Sequence, residues 1–424
     1  MKKIAIITLL VMGLCLGETS FALNAGTGKN EKDKAYLPPV DLNPETYQLL
    51  KNSQWEPAVE KLREAYELFN ADPNLKYYLA FCYEQLANTA LDEKRYQDAI
   101  NRLESAVQYV DDQPRLYLGL GASFFSLSRY SEAEDAFSQV LELEPDHFLA
   151  NKMLGEIYYL ANNMEEAGEH WEAALKKEPN DNYTKKRLAG LKKYNRLAEN
   201  LETEADMQFS VSFNGTRKPE LRDLVLKMLG EISRQVGREL NLYPNRQIPV
   251  ILLTDQAFFD ITGSPQWAGG VFEGQIKAPM DKYRPGLLKI VLAHEYVHAV
   301  IFDRLSSRCP WWLNEGLAQY LSGDQAGNKL KLELAAKFIK EAGVPPLEEL
   351  PGKLLKNGDS KRVQLAYALA LSAVQYFVHQ FGMSALQNIM DSMAEGKSFT
   401  SIISNFTGFS FAEFQENWKE VCSR

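Results

Sequence analysis

The chain has 424 residues, 45% apolar and 24% charged, with a formal net charge of -9. That length exceeds what one hydrophobic core usually serves, so more than one domain is expected, and the composition excludes wholesale disorder. Lys and Arg form no long stripe, which leaves a nucleic-acid role without electrostatic support.

The first 22 residues read as a signal peptide. Lys2 and Lys3 form a positive start, Ile4 to Leu16 an apolar run, and Ser20-Phe21-Ala22 a small-residue cleavage site. The run is short for a bilayer span, and no later segment is expected to cross a membrane. The product is therefore expected outside the cytoplasm, periplasmic or secreted. Lipoprotein processing at Cys15 is the lesser alternative, because Leu14 before it is bulky. Export permits disulfides. Cys82 reads as a buried thiol in a helix, and a Cys309–Cys422 bridge is conceivable.

Further along, Gly121, Phe124, Ala133, Phe137 and Pro145 recur as Gly155, Tyr158, Ala167, Trp171 and Pro179, each displaced by 34 residues. Small residues let two helices approach, aromatics fill the gaps, and Pro ends the second helix. This period and pattern resemble the tetratricopeptide repeat. Looser units precede these. Leu79, Ala80 and Tyr83 pair with Ala99, Leu103 and Ala106 across a longer inter-helix segment, and Ala58, Leu62 and Ala65 are closed by Pro73. Residues 43–180 thus read as about four units, an α-helical solenoid, with 181–206 as a capping helix and linker.

From Met207 the character changes. Phe209 to Phe213 alternates as a strand, Leu221 to Leu240 reads as an amphipathic helix, and Ile248 to Leu253 as a buried strand. Gly270 to Lys277 is a third strand candidate. Helices follow from Leu287, with breaks at Cys309-Pro310, Gly323, Pro345-Pro346 and Gly358. Strands followed by helices indicate an α+β domain over 207–424.

His294-Glu295-Tyr296-Val297-His298 lies inside one of these helices. Two His four apart stand about 40° apart around the axis and about 6 Å along it, so both can reach one ion. Imidazole suits Zn²⁺, and a Glu beside the first His can act on a water there. Glu315, in Trp312-Leu313-Asn314-Glu315-Gly316-Leu317-Ala318, falls 17 positions after His298 and is the natural third ligand. The two motifs together resemble gluzincin metallopeptidases, the peptidase MA-like group, in which HExxH is followed by a Glu in an NEG-x-A sequence. The resemblance implies a zincin-like fold, one Zn²⁺ per chain on His294, His298 and Glu315, and Glu295 as the general base that activates water for peptide-bond hydrolysis. It also implies an oxyanion donor on a later helix, for which Tyr367 comes first, with Tyr376 and His379 behind it. Gly270 and Glu273 fit the spacing with which aminopeptidase relatives hold a substrate amine, but Phe272 and Gly274 replace that motif's Met and Asn, and an ordinary strand is the better reading. The expected partners are a peptide or protein substrate and a protein bound by the repeats. Two alternatives stay open: a repeat scaffold with an inactive metallopeptidase-like domain, and a hydrolase of non-peptide amides or esters.

Overall fold

The computed structural model describes residues 42–423, other than 70–71, 94, 128, 199–200, 215–218, 263, 265–268, 282–283, 306–307, 342, 352–353, 355–359 and 396. The leader read over 1–22, Cys15 within it, and the break expected at Gly358 lie outside the described residues. The chain divides into two compact units, the second of which takes up the chain from Lys186 onward.

Among the described residues, the first unit is four helix pairs. They are α1 (Pro44–Lys51) with α2 (Trp55–Leu68), α3 (Pro73–Asp92) with α4 (Tyr96–Tyr109), α5 (Pro114–Ser126) with α6 (Tyr130–Leu143), and α7 (Phe148–Leu160) with α8 (Met164–Lys177). The 34-residue pattern has a direct packing cause. A Cβ on Gly121 would come closer than 3.0 Å to the Phe137 ring, and one on Gly155 would collide with Trp171. Both rings are fully buried, so each glycine in a first helix makes room for the aromatic of its second. Two details depart from expectation. Pro73 begins α3 behind an Asp72 cap rather than closing α2, because Pro needs no hydrogen-bonded N–H at the first helical position. The extra length between Leu79 and Ala99 is helical, since α3 runs 20 residues.

From Lys186 on, within α9 (Asn182–Ala198), the chain belongs to the second unit; α9 leads into β1 (Leu201–Ala205), so the expected cap and linker supplies a strand. Its sequence, LETEA, is mostly exposed and lacks an apolar alternation; pairing with β2 (Phe209–Asn214) supplies what propensity does not. Then come α10 (Pro219–Leu240), β3 (Ile248–Leu253), α11 (Asp255–Thr262), β4 (Val271–Phe272) and β5 (Ile276–Pro279). The sheet order is β1-β2-β3-β5-β4, parallel at β2–β3 and β3–β5 and antiparallel at both ends. The central strand β3 is buried on both faces, hence its unbroken apolar run. Val250 and Leu252 join the main core on one face, while Ile251 and Leu253 pack with Val271 and Phe258 on the other. The single strand expected over 270–277 is a hairpin, turned at Gly274, whose φ of +75° favours glycine.

Six helices and a short turn complete the unit among the described residues: α12 (Pro285–Leu305), α13 (Trp311–Leu321), α14 (Gln325–Glu341), the 3-10 turn Leu347–Glu349, α15 (Ser360–Ala394), α16 (Phe399–Thr407) and α17 (Phe411–Ser423). Contrary to expectation, α12 is long and apolar enough to cross a membrane. Most of it is buried inside the unit, as in a core helix, which accounts for the composition. Cys309 and Cys422 are both free, so the conceivable bridge is not formed.

The repeat packing makes a direct prediction. Gly155→Ala should destabilise the repeat unit by about 1–3 kcal/mol through overpacking against Trp171. Urea unfolding followed by tryptophan fluorescence measures it, and a wild-type transition would contradict the assigned packing.

Candidate metal centre

Two adjacent tryptophans fix the helix that carries Glu315. Trp312 is buried against Phe399, Phe411 and Phe414, with ring centroids 5.2, 6.2 and 6.2 Å away. Trp311 stacks on Tyr367 of α15 at 5.7 Å. Between α13 and α15 there is no room for a side chain at position 316: a Cβ on Gly316 would stand 2.5 Å from the Ala370 carbonyl oxygen. The glycine of the Asn-Glu-Gly triplet thus permits the helix contact that sets the position of Glu315. On α12, Tyr296 donates its hydroxyl to Ser233 Oγ at 3.0 Å, one of the contacts that set the rotation of the histidine helix against α10.

The three residues picked from the sequence meet. His294 Nε2 and His298 Nε2 lie 3.5 and 3.8 Å from Glu315 Oε2, and the two imidazoles are 4.7 Å apart at 77°. A tetrahedral ion with bonds of about 2.0–2.2 Å needs donors about 3.3–3.6 Å apart; the His294 separation of 3.5 Å falls in that range and the His298 separation of 3.8 Å stands just beyond it. All three residues are 1% exposed. His294 Nε2 has no hydrogen-bond partner among the described residues, an orphan that a metal ion would satisfy. These three residues could hold a metal ion.

His298 Nδ1 faces Asn314 Oδ1 at 2.9 Å. A donor N–H there leaves Nε2 free to face Glu315, the arrangement a metal-ligating imidazole requires. Sequence reasoning left this residue unassigned, although its place beside Glu315 was the available signal. Asp303, the other nearby acid, pairs with Arg246 at 3.1 Å.

Glu295 is fully buried, and neither carboxylate oxygen makes a full hydrogen bond among the described residues. Gly270, just before edge strand β4, lies against it: a Cβ there would meet Glu295 Cγ at 2.9 Å. Glu273 is elsewhere. It is paired with Lys277 at 3.5 Å and lies 3.9 Å from Arg187. Phe272 packs on Phe302 of α12, so strand alternation puts Glu273 on the opposite face. Its carboxylate is engaged there, which agrees with an ordinary strand rather than amine capture. Tyr367 is buried on the α13 side of α15, one turn before Ala370. Tyr376 packs in the aromatic cluster on Phe414, and His379 is exposed.

Burial, then the nearby His298 and Lys331 charges, hold His294 well below the ordinary imidazole range. Burial takes His298 to about 4, against the opposing effect of Asn314. Both rings are therefore neutral at neutral pH, the state that metal binding needs. Burial, then Glu315, pushes Glu295 well above the carboxylate range, opposed by the Phe272 backbone N–H. The signs differ for stability. The depressed His298 destabilises the metal-free fold as pH falls from 6.5 to about 4. The raised Glu295 does so as pH rises above 4.5. Metal-free Glu295→Gln should accordingly melt higher than wild type at neutral pH, with the advantage shrinking toward about pH 5. Equal melting temperatures across that range would refute the burial assigned to this carboxylate.

Residues 256–423 match the Peptidase MA superfamily, and residues 84–139 and 120–182 match the tetratricopeptide repeat. No curated protein matches the chain. Among solved structures it is similar to a thermophilic TPR protein in Thermus thermophilus, at 24% identity over 34% of this chain and 77% of that one, with a TM-score of 0.23. The chain therefore carries tetratricopeptide repeats over 84–182 and, following them, a Peptidase MA superfamily domain over 256–423.

Proposed function

We propose that the chain is an exported zinc-dependent peptidase whose repeats bind a protein partner or present the substrate. The observation that carries this reading is the meeting of His294, His298 and Glu315 beside a buried carboxylate, Glu295, whose oxygens make no full hydrogen bond among the described residues. An ion pair or a full hydrogen bond normally accompanies a buried carboxylate, and a carboxylate approached only by the Phe272 backbone N–H supports chemistry rather than architecture.

In this reading His294, His298 and Glu315 hold Zn²⁺, which supplies Lewis acidity to the scissile carbonyl. Asn314 keeps the His298 ring in the tautomer that offers Nε2. A Glu295 oxygen takes a proton from the attacking water and returns it to the leaving amine nitrogen. The raised proton affinity that burial gives Glu295 suits the first half of that exchange, because a carboxylate that holds a proton more tightly is the stronger base toward water. The two-residue strand β4 ends the sheet, and the glycine preceding it lies on Glu295; an extended substrate added to that edge would run past the base. Tyr367, stacked on Trp311 and thereby tied to the helix of Glu315, is the proposed oxyanion donor. Concave helical arrays present extended surfaces, which supports the binding role of the repeats.

Purified protein should contain one zinc per chain by elemental analysis, and His294→Ala should lose it. Glu295→Gln should keep the metal while hydrolysis of a peptide library falls by about 10²–10⁴-fold. Undiminished hydrolysis by that variant would sink the mechanism and leave the scaffold reading. Export makes its own prediction: N-terminal sequencing of the mature protein should begin at Leu23, just after the expected cleavage at Ala22.

A further inference from the structure

Lys331 belongs neither to the metal-binding trio nor to the hydrogen bonds that hold it, yet the helix that carries it is hydrogen-bonded to the helix of Glu315. The start of α14 fastens it there. Asn328 Nδ2 donates to the Gln319 carbonyl at 2.7 Å, and Gln319 lies one turn beyond Glu315 on α13. Lys331 follows Asn328 by one turn, its Nζ 3.3 Å from Asn328 Oδ1. The acid beside it, Asp324, stands 3.9 Å away and is already bound to the helix start, accepting the Gly327 N–H at 3.0 Å. The lysine side chain is only 27% exposed.

An ammonium in that position repels a divalent ion and is costly to bury. Three donors are available to it, and the amide of Asn328 with a distant, shared carboxylate is poor compensation. Asp324, at 3.9 Å, leaves room at the ammonium for a closer carboxylate from a ligand. Gln319 adds a second sign of one: it is 2% exposed, and its Oε1 has no hydrogen-bond partner among the described residues, an acceptor that a peptide N–H would satisfy.

We propose that Lys331 is a specificity-determining residue that selects peptides bearing a carboxylate beside the bond at the metal centre, through an ion pair between its ammonium and that carboxylate. The carboxylate can come from an acidic side chain or from a free C-terminus; the chemistry is the same. This inference rests on the peptidase reading above, and its test separates the two.

Binding is measured by calorimetry on zinc-loaded Glu295→Gln protein, with end-blocked alanine peptides carrying one central Glu or one central Gln. A third peptide is uncharged in its side chains and has a free C-terminal carboxylate. One of the two carboxylate peptides should bind about tenfold or more tightly than the Gln peptide, and which one does identifies the source. Adding Lys331→Met should bring that ratio to about one, while Lys331→Arg should keep most of it, with all variants melting alike. A preference that survives Lys331→Met, or no preference in the Glu295→Gln protein, overturns the proposal. If the Lys331-dependent preference holds but wild type hydrolyses none of these peptides or a wider library, the peptidase reading fails and the carboxylate site stands.

Discussion

Burial of two imidazoles and two carboxylates within one helix junction is the constraint on which the C-terminal unit turns. Each of these groups loses hydration, and His294 Nε2 and both Glu295 oxygens find no full hydrogen bond among the described residues in return, where burying a charge without compensation costs several kcal/mol. Glu315 approaches both histidine rings, but Glu295 stands beside it with like charge. The arrangement is frustrated as protein alone. A divalent cation held by His294, His298 and Glu315 would satisfy it.

Much of the surrounding packing can be read as what keeps that junction from relaxing. Trp312 holds α13 in the aromatic cluster of Phe399, Phe411 and Phe414, while Trp311 and Gly316 lock it on α15. Close packing of this kind transmits strain rather than absorbing it. Among the contacts of α12, the Tyr296–Ser233 hydrogen bond anchors it to α10. The sheet edge then reaches Glu295 only because position 270 has no side chain.

Different features were legible in the sequence to different depths. The repeats were readable because their spacing is enforced by a pairwise fit, Gly121 to Phe137 and Gly155 to Trp171, that must recur with the helix pair. The grouping of His294, His298 and Glu315, which could hold a metal ion, was readable because ligand chemistry demands particular residue types at helical spacing. Strand β1 was not, since LETEA carries no apolar pattern and is held by its partner. The hairpin within 270–277 was read as one strand, the turn at Gly274 depending on a backbone conformation that composition does not report. The change of direction inside α15 at Gly382, φ +82°, was hidden for the same reason.

By itself, then, the sequence determined what is local and periodic: the repeat solenoid, the buried central strand, the apolar α12, and the identities of His294, Glu295, His298 and Glu315. Residue type and spacing along a helix suffice for these, because a turn of helix converts sequence distance into spatial distance. Only the tertiary structure decided which groups meet across elements. It put Asn314 on His298, bent Glu273 toward Lys277 and Arg187, and tied Asn328 of α14 to the Gln319 carbonyl of α13. Such meetings depend on how helices and strands pack at distances unrelated to chain position, and no local pattern encodes them.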